Sequence, residues 1–317
     1  MLNRHDNILI GLSGGPDSVA LLRALILIRQ EYELKLYIAH MDHMFRGNES
    51  REDRKFCEAL AGSLNLPIFC EEKNIPKIAN EKKISSEEAA RFERYDFFFK
   101  IARENKIDKI AVGHTRDDQA ETILMRLVRG SGMSGLGGMN PVKEINGMII
   151  IRPLIDITRR EIEDFIKEHR LECRHDSSND KNIFTRNKVR HELIPFLEDK
   201  FNPNIKEILV NTAENLRAEN EFLDKFSRRK LKIISRKNRR GEIVLDIKKL
   251  KKQPSAIKKR ILRSALKELK GDLRRFTYQH WKEMDGLIGN RPANSIVDLP
   301  GGIDIKKEKK SLILRKA

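Results

Sequence analysis

Two short runs concentrate residues able to do chemistry. The first is Leu12-Ser13-Gly14-Gly15-Pro16-Asp17-Ser18, set between a strand-like run and an amphipathic segment. Gly14 and Gly15 let backbone come close to a ligand and turn N–H groups toward it. A helix starting there adds the positive end of its dipole. The hydroxyls of Ser13 and Ser18 can donate to phosphate oxygens. Pro16 suits a first helical turn, where its missing N–H costs nothing. Asp17 would repel a bare phosphate, so it points to a bridging Mg2+. The loop is not a Walker-type loop, because GxxxxGK[ST] occurs nowhere. The second run is Gly113-His114-Thr115-Arg116-Asp117-Asp118-Gln119-Ala120-Glu121-Thr122. Thr115 and Asp118 have the spacing of a capping box. Capping leaves His114, Asp117 and Glu121 unexplained. Titratable groups crowded where a strand gives way to a helix suggest Mg2+ binding and proton transfer.

Weaker signals lie elsewhere. His40-Met41-Asp42-His43-Met44-Phe45-Arg46 ends a second strand-like run. Arg91 and Arg94 stand one helical turn apart within Glu87–Tyr95, so both could reach one anion. Asp176-Ser177-Ser178-Asn179-Asp180 and Thr185–Arg190 read as a polar loop leading into a helix. Gly130-Ser131-Gly132-Met133-Ser134-Gly135 has GxGxxG spacing, but a helix precedes it rather than a strand. That order argues against a dinucleotide fingerprint and for a mobile loop or helix C-cap.

Positioning these groups takes a scaffold. Strand-like runs at residues 8–12, 36–39, 67–70, 109–113 and 148–152 alternate with helical patterns at 17–30, 50–64, 85–104, 117–129 and 158–169. This alternation predicts an α/β fold with a doubly wound, mostly parallel sheet. Such sheets bind ligands beyond the carboxyl ends of their strands. After Arg170 the alternation stops. Residues 204–234 read as one long helix. Beyond it, a strand, two helices and a terminal hairpin predict a smaller α+β domain. The expected boundaries are 1–203, a helix at 204–234, and 235–317.

The charge supports that partition. The 317 residues hold 64 Lys and Arg against 47 Asp and Glu, a net charge of +17. Residues 1–216 carry 34 basic and 35 acidic side chains, whereas residues 217–317 carry 30 and 12. The excess therefore lies entirely in the last third, which fits a nucleic-acid partner. Mean hydropathy is −0.55 and no apolar run approaches a membrane span. The first residues do not read as a signal peptide. Three scattered cysteines exclude a disulfide framework and point to the cytoplasm.

Ser13–Ser18 resembles the pyrophosphate loop of N-type ATP pyrophosphatases. Residues 113–122 resemble the GHxxDDxxET signature of the tRNA-modifying branch, and Leu127–Gly132 continues it as LxRGSG. His40–Arg46, Glu87–Tyr95, Asp176–Asp180 and Thr185–Arg190 resemble segments of the lysidine synthetases. The five segments run in order over residues 5–200. The resemblance implies that the enzyme uses ATP and Mg2+ to adenylate the wobble cytidine of tRNA(Ile) with a CAU anticodon. Free L-lysine then displaces AMP. Ser13, Gly14, Gly15, Pro16, Asp17 and Ser18 would hold pyrophosphate, and Ala39, His40 and Met41 would line the adenine site. Catalytic roles fall to His114, Asp118, Arg94 and Arg186, with His114 or Asp118 as base. Asp17 and Asp118 would bind the metal, and Arg91, Arg190 and Asp117 the tRNA. No membrane association is expected, and a homodimer is the expected assembly. Two alternatives stay open: a relative that thiolates or amidates another acceptor, and a non-catalytic RNA-binding protein.

Overall fold

The computed structural model describes residues 1–45, 48–174, 185–273 and 275–316. The Asp176–Asp180 segment and Arg46 lie outside them. The chain divides into two compact units, Met1–Leu216 and Arg217–Ala317.

The first unit is built on a six-stranded sheet. Its strands are β1 (Asn7–Gly11), β2 (Lys35–Asp42), β3 (Ile68–Glu72), β4 (Lys109–Ala111), β5 (Val142–Ile145) and β6 (Met148–Ile151). Their order is β3-β2-β1-β4-β6-β5. All neighbours pair in parallel except β5 with β6. That exception is a hairpin turning at Asn146 and Gly147, both at positive φ, the dipeptide that favours such turns.

Burial on both faces makes this sheet rigid. Ile8 and Ile10 face one way, against Val19, Leu21, Leu22 and Leu25 of helix α1 (Pro16–Leu27). Leu9 faces the other way with Ile110 and Ile150, against Phe97, Phe98 and Phe99. Those aromatics belong to α4 (Ser86–Glu104), which follows α2 (Asn48–Ser63) and α3 (Ile75–Lys82). Each fully buried side chain of this size contributes about 1.5–3 kcal/mol. Parallel pairing brings the carboxyl ends of β1, β2, β4 and β6 to one edge. The chain moves outward from β1 to β2 and β3, then returns to the opposite side of β1 with β4. A crevice at such a reversal is the usual ligand site.

The helices over that edge are well specified locally. Ser85 caps α4 by accepting from the Glu88 N–H at 3.2 Å. Helix α5 (Arg116–Val128) opens with the Thr115–Asp118 capping box, at 2.9 and 3.3 Å. After α6 (Met133–Leu136), helix α7 (Arg159–Glu168) opens with another, between Thr158 and Glu161. Then come α8 (Thr185–Lys188), a π-helical turn (Val189–Leu193), α9 (Ile194–Lys200) and α10 (Ile205–Ile234). The divide between the two units falls within α10.

The second unit has an antiparallel sheet of β7 (Ser235–Lys237), β8 (Ile243–Asp246), β9 (Ile296–Leu299), β10 (Ile303–Lys307) and β11 (Ser311–Lys316). The strand order is β7-β8-β11-β10-β9. With the short α11 (Ile247–Lys251), helices α12 (Ser255–Lys270) and α13 (Tyr278–Gly289) supply its apolar partners. Leu245, Ile305, Leu312 and Leu314 pack with Ile261, Leu266 and Leu287. Among the described residues, no helix is long and apolar enough to cross a membrane.

Candidate active site

A pocket opens at the carboxyl edge of the first sheet, lined by Ser13, Asp17 and Ser18 from the β1–α1 loop. Ala39, His40 and Met41 line it from β2, Arg94 and Phe98 from α4, and Gly113 and His114 from the end of β4. These elements thus bring together most of the residues expected to handle ATP.

The loop is held by its own side chains. The Ser18 hydroxyl accepts from the Ser13 N–H at 3.1 Å and donates to the Gly15 carbonyl at 2.9 Å. The Ser13 hydroxyl lies 3.1 Å from it. Gly14 sits at φ +88°, a conformation that favours glycine. Its carbonyl accepts from the Arg174 N–H at 2.9 Å. Gly113 is required for a different reason: a Cβ there would lie 2.9 Å from the Asp17 carbonyl oxygen. The loop after β4 can therefore sit against the first turn of α1 only with glycine at 113.

Buried polar groups set the electrostatics. Burial, reinforced by Asp118, pushes the Asp17 carboxyl up to about 6. One of its oxygens, Oδ1, is buried without a partner among the described residues. The other lies 3.7 Å from Arg159. A carboxylate with one free oxygen and only a long ion pair on the other fits a divalent cation, which prefers oxygen donors and keeps open positions for phosphate and water. Asp118 is the nearby acid, but both its oxygens are engaged, Oδ2 by the Thr115 N–H and Oδ1 by Arg186 and Arg190.

Those two arginines extend a four-charge cluster. Asp118 and Glu121 stand one turn apart on α5, facing Arg186 and Arg190, one turn apart on α8 and the π-helical turn. Arg186 donates to Glu121 at 2.7 Å and to Asp118 at 2.9 Å, and Arg190 to Glu121 at 2.5 Å. The Glu121 side chain is only 2% exposed. The cluster fastens the segment returning at Thr185 to the helix that carries His114 at its mouth.

Two histidines of the pocket wall, His114 and His40, are neutral. Burial drives His114 down to about 3, and its Nδ1 has no partner among the described residues. His40, also lowered by burial, points Nδ1 at the Leu12 carbonyl 2.9 Å away and leaves Nε2 unpartnered in the pocket wall. Asp117 turns away from the pocket. It accepts from the Arg159 N–H at 2.8 Å and pairs with Lys206 at 3.1 Å, joining α5 to α7 and α10. Arg91 and Arg94 both lie over the Tyr95 ring, at 5.7 and 5.8 Å.

Several lining residues carry no local signal. Ser50 and Asp53 of α2 and Phe98 of α4 join the pocket through packing alone. The GxGxxG segment begins as the expected helix C-cap: Gly130, at φ +77°, ends α5, with the Gly130 and Ser131 N–H groups donating to the Leu127 and Arg126 carbonyls, both at 2.9 Å. The segment also holds α6, and Arg126 donates to the carbonyls of Gly135 and Gly138 at 2.8 and 2.7 Å. Gln119 clamps both backbone groups of Met139, at 2.6 and 2.7 Å.

Comparison with known proteins agrees with this architecture. The family described as a PP-loop domain matches residues 2–197, and that described as a TilS substrate binding domain matches residues 245–312. A tRNA(Ile)-lysidine synthase of Clostridioides difficile is 35% identical over 99% of this chain and 67% of its own length. One of Caldanaerobacter subterraneus subsp. tengcongensis is 38% identical over 100% of this chain and 66% of its own. A third, of Clostridium tetani, is covered over only 60% of its length, so the chain spans about two thirds or less of these curated relatives. A U34-tRNA thiolase, NcsA of Methanococcus maripaludis with its [4Fe-4S] cluster, shares the fold at a TM-score of 0.54. It is 20% identical, over 68% of this chain and 72% of that one. On the two domain matches and the whole-chain similarity, the chain belongs to the tRNA(Ile)-lysidine synthase family.

Proposed function

We propose that this chain uses ATP to ligate free L-lysine to C2 of the wobble cytidine of a tRNA(Ile) with a CAU anticodon. The observation that carries the reading is the pocket itself. It joins a phosphate-type loop, a buried carboxylate with a free oxygen and a neutral histidine, in a chain of this family.

The chemistry is coherent. The C2 oxygen of cytosine is a poor leaving group until it bears AMP. Attack of that oxygen on the α-phosphate releases diphosphate, whose oxygens the loop Ser13–Ser18 is shaped to receive. Asp17, with Asp118 behind it, would hold Mg2+, which supplies positive charge against the departing phosphates. The lysine ε-amine attacks C2 and AMP leaves with the C–O bonding pair. Free, that amine has a pKa of about 10.4, so it must shed a proton to attack. After bonding to C2, the nitrogen becomes acidic and sheds a second. Of the two candidate bases, His114 has the open position, Nδ1, whereas the Asp118 oxygens are occupied; burial makes His114 a weak base, so negative charge brought by the bound phosphates would have to raise it for this role. Arg94 and Arg186 would steady the α-phosphate and the base. A sulfur-transfer reading gains no support from the thiols. Burial raises Cys57 to about 12 and Cys70 to about 11, so both stay protonated.

The second unit is the proposed grip on tRNA. Its basic excess is accompanied by cation–aromatic pairs along α12 and α13. Lys259 lies 5.6 Å from the centre of the Tyr278 ring, and Arg263 lies 5.6 Å from that of Trp281. Tyr278 is 76% exposed, as a base-stacking platform requires. The test is the identity of the ATP products. Diphosphate should form once ATP and the tRNA are both present, and AMP should be released only when lysine is added as well. ADP and phosphate, or AMP formed equally without lysine, would overturn the proposal.

A further inference from the structure

Beyond the pocket, the first unit holds arginines that none of the proposed steps uses. Arg152 follows β6, beside the end of β4, where the Val112 N–H bonds to the Ile151 carbonyl at 3.1 Å. It is 3% exposed, and its Nε is buried without a partner among the described residues. Its Nη1 donates to the Asn140 carbonyl at 2.7 Å. The Tyr95 hydroxyl lies close enough to favour its charge, and Arg91 close enough to oppose it. Arg126, in turn, feels both Arg91 and Arg152. Arg91, Arg94 and Arg152 thus lie at Tyr95, itself 9% exposed, and Arg126 lies within the field of Arg91 and Arg152.

No carboxylate of the described residues pairs with Arg91, Arg126 or Arg152. Buried cations are ordinarily paired, because leaving water without a partner costs several kcal/mol per ion. Burial accordingly lowers both Arg126 and Arg152 from the usual guanidinium range. Like charges brought together without a carboxylate, with Arg152 buried among them and its Nε unpartnered among the described residues, are explained by an anion that arrives with a ligand.

We propose that Arg91, Arg126 and Arg152 form a subsite for an RNA phosphodiester next to the nucleotide that enters the pocket. The inference rests on the RNA-modifying function proposed above. Three anions are available, and charge chooses among them. The polyphosphate of ATP is expected on the loop side, and none of these three arginines lines that pocket. Free lysine, though it has a carboxylate, carries a net positive charge and is repelled by three guanidiniums. A nucleic-acid strand is drawn to them. Their burial also fits a strand coming in from solvent, from exposed Arg91 through half-buried Arg126 to buried Arg152.

The experiment measures binding of a CAU anticodon stem-loop and of an unstructured single-stranded RNA against salt. The stem-loop is used intact and with single methylphosphonates on either side of the target cytidine. Arg91→Gln is the main variant, because its side chain makes no hydrogen bond to the described residues. Arg152→Lys, which retains the charge, is the second. We expect Arg91→Gln to weaken stem-loop binding about tenfold and reduce the log–log salt slope by about 0.7. One methylphosphonate should weaken the unaltered protein similarly yet cost the variant little more. KM for lysine and ATP should stay within about twofold. A raised KM for lysine with unchanged RNA binding would overturn the subsite in favour of a carboxylate site. Additive losses from methylphosphonate and variant at both positions would overturn it as well. If Arg152→Lys fails to fold, Arg91→Gln still decides. If the unaltered protein incorporates no lysine, the functional reading fails, while the salt slopes still judge the subsite.

Discussion

The two units handle charge in opposite ways. The first carries 34 basic and 35 acidic side chains, yet it distributes them unevenly. Asp118 and Glu121 are locked against Arg186 and Arg190 beside Asp17, whereas Arg91, Arg126 and Arg152 stand together without a carboxylate among the described residues. The second carries 30 basic and 12 acidic side chains, most of them on its surface. Net charge therefore describes what the second unit attracts, whereas in the first only the local field matters. Chemistry requires opposite charges held close and dry, where they act strongly. Gripping RNA requires like charges spread in water, where each contributes little and salt screens them.

The largest expected effect breaks the first unit's chemistry and spares the second's binding. Asp17→Ala should reduce AMP formation to background while tRNA affinity stays within about twofold. Persistent AMP release would show that the loop does not do what is proposed. Next comes the four-charge cluster. Removing one member of a buried ion-pair network leaves the others uncompensated, at a cost of about 3–5 kcal/mol. Glu121→Ala should lose stability of that order in urea unfolding, and a loss under about 1 kcal/mol would mean that the arginines find solvent instead.

A smaller effect has the opposite sign. Asp17 titrates near 6 in the fold against 3.8 in the open chain. Its carboxyl is raised, so folding favours the protonated form. Stability is full below the open-chain value and declines as pH rises through the folded one. Asp17→Asn removes that decline. In metal-free buffer it should match the parent near pH 3.5 and exceed it by about 3 kcal/mol at pH 8. No difference at pH 8 would show that the carboxylate is solvated. The smallest effect concerns the second unit. With about five phosphate contacts, tRNA affinity should fall with salt at a log–log slope of about −4 to −5, and Lys259→Gln should change it by about one. A slope near zero would remove RNA as the partner of the basic surface.

Much of this was legible from residue order. The capping spacings at Thr115 and Thr158, the glycines at 14 and 15, and the strand–helix alternation all act over a few residues. Their outcome needs no knowledge of the rest of the chain. The β5–β6 hairpin lies outside the strand–helix alternation, and its local signal is the Asn146-Gly147 turn. What no local pattern could give is contact across long separations. Glu121 meets Arg186 and Arg190 across more than sixty residues. Asp53 enters the pocket wall from a helix with an ordinary charged face, and Arg152 looks like the end of a strand. In each case the sheet order sets the juxtaposition, through packing that one sequence does not display.

The central claim is that the first unit joins lysine to an RNA base that the second unit helps to deliver. Nucleoside mass spectrometry of a CAU-anticodon tRNA(Ile), after incubation with the protein, ATP and lysine, tests it most directly. The account predicts that the wobble cytidine is converted to lysidine, with one AMP formed per lysine transferred. An unchanged cytidine, or one carrying sulfur or another amine, would contradict it.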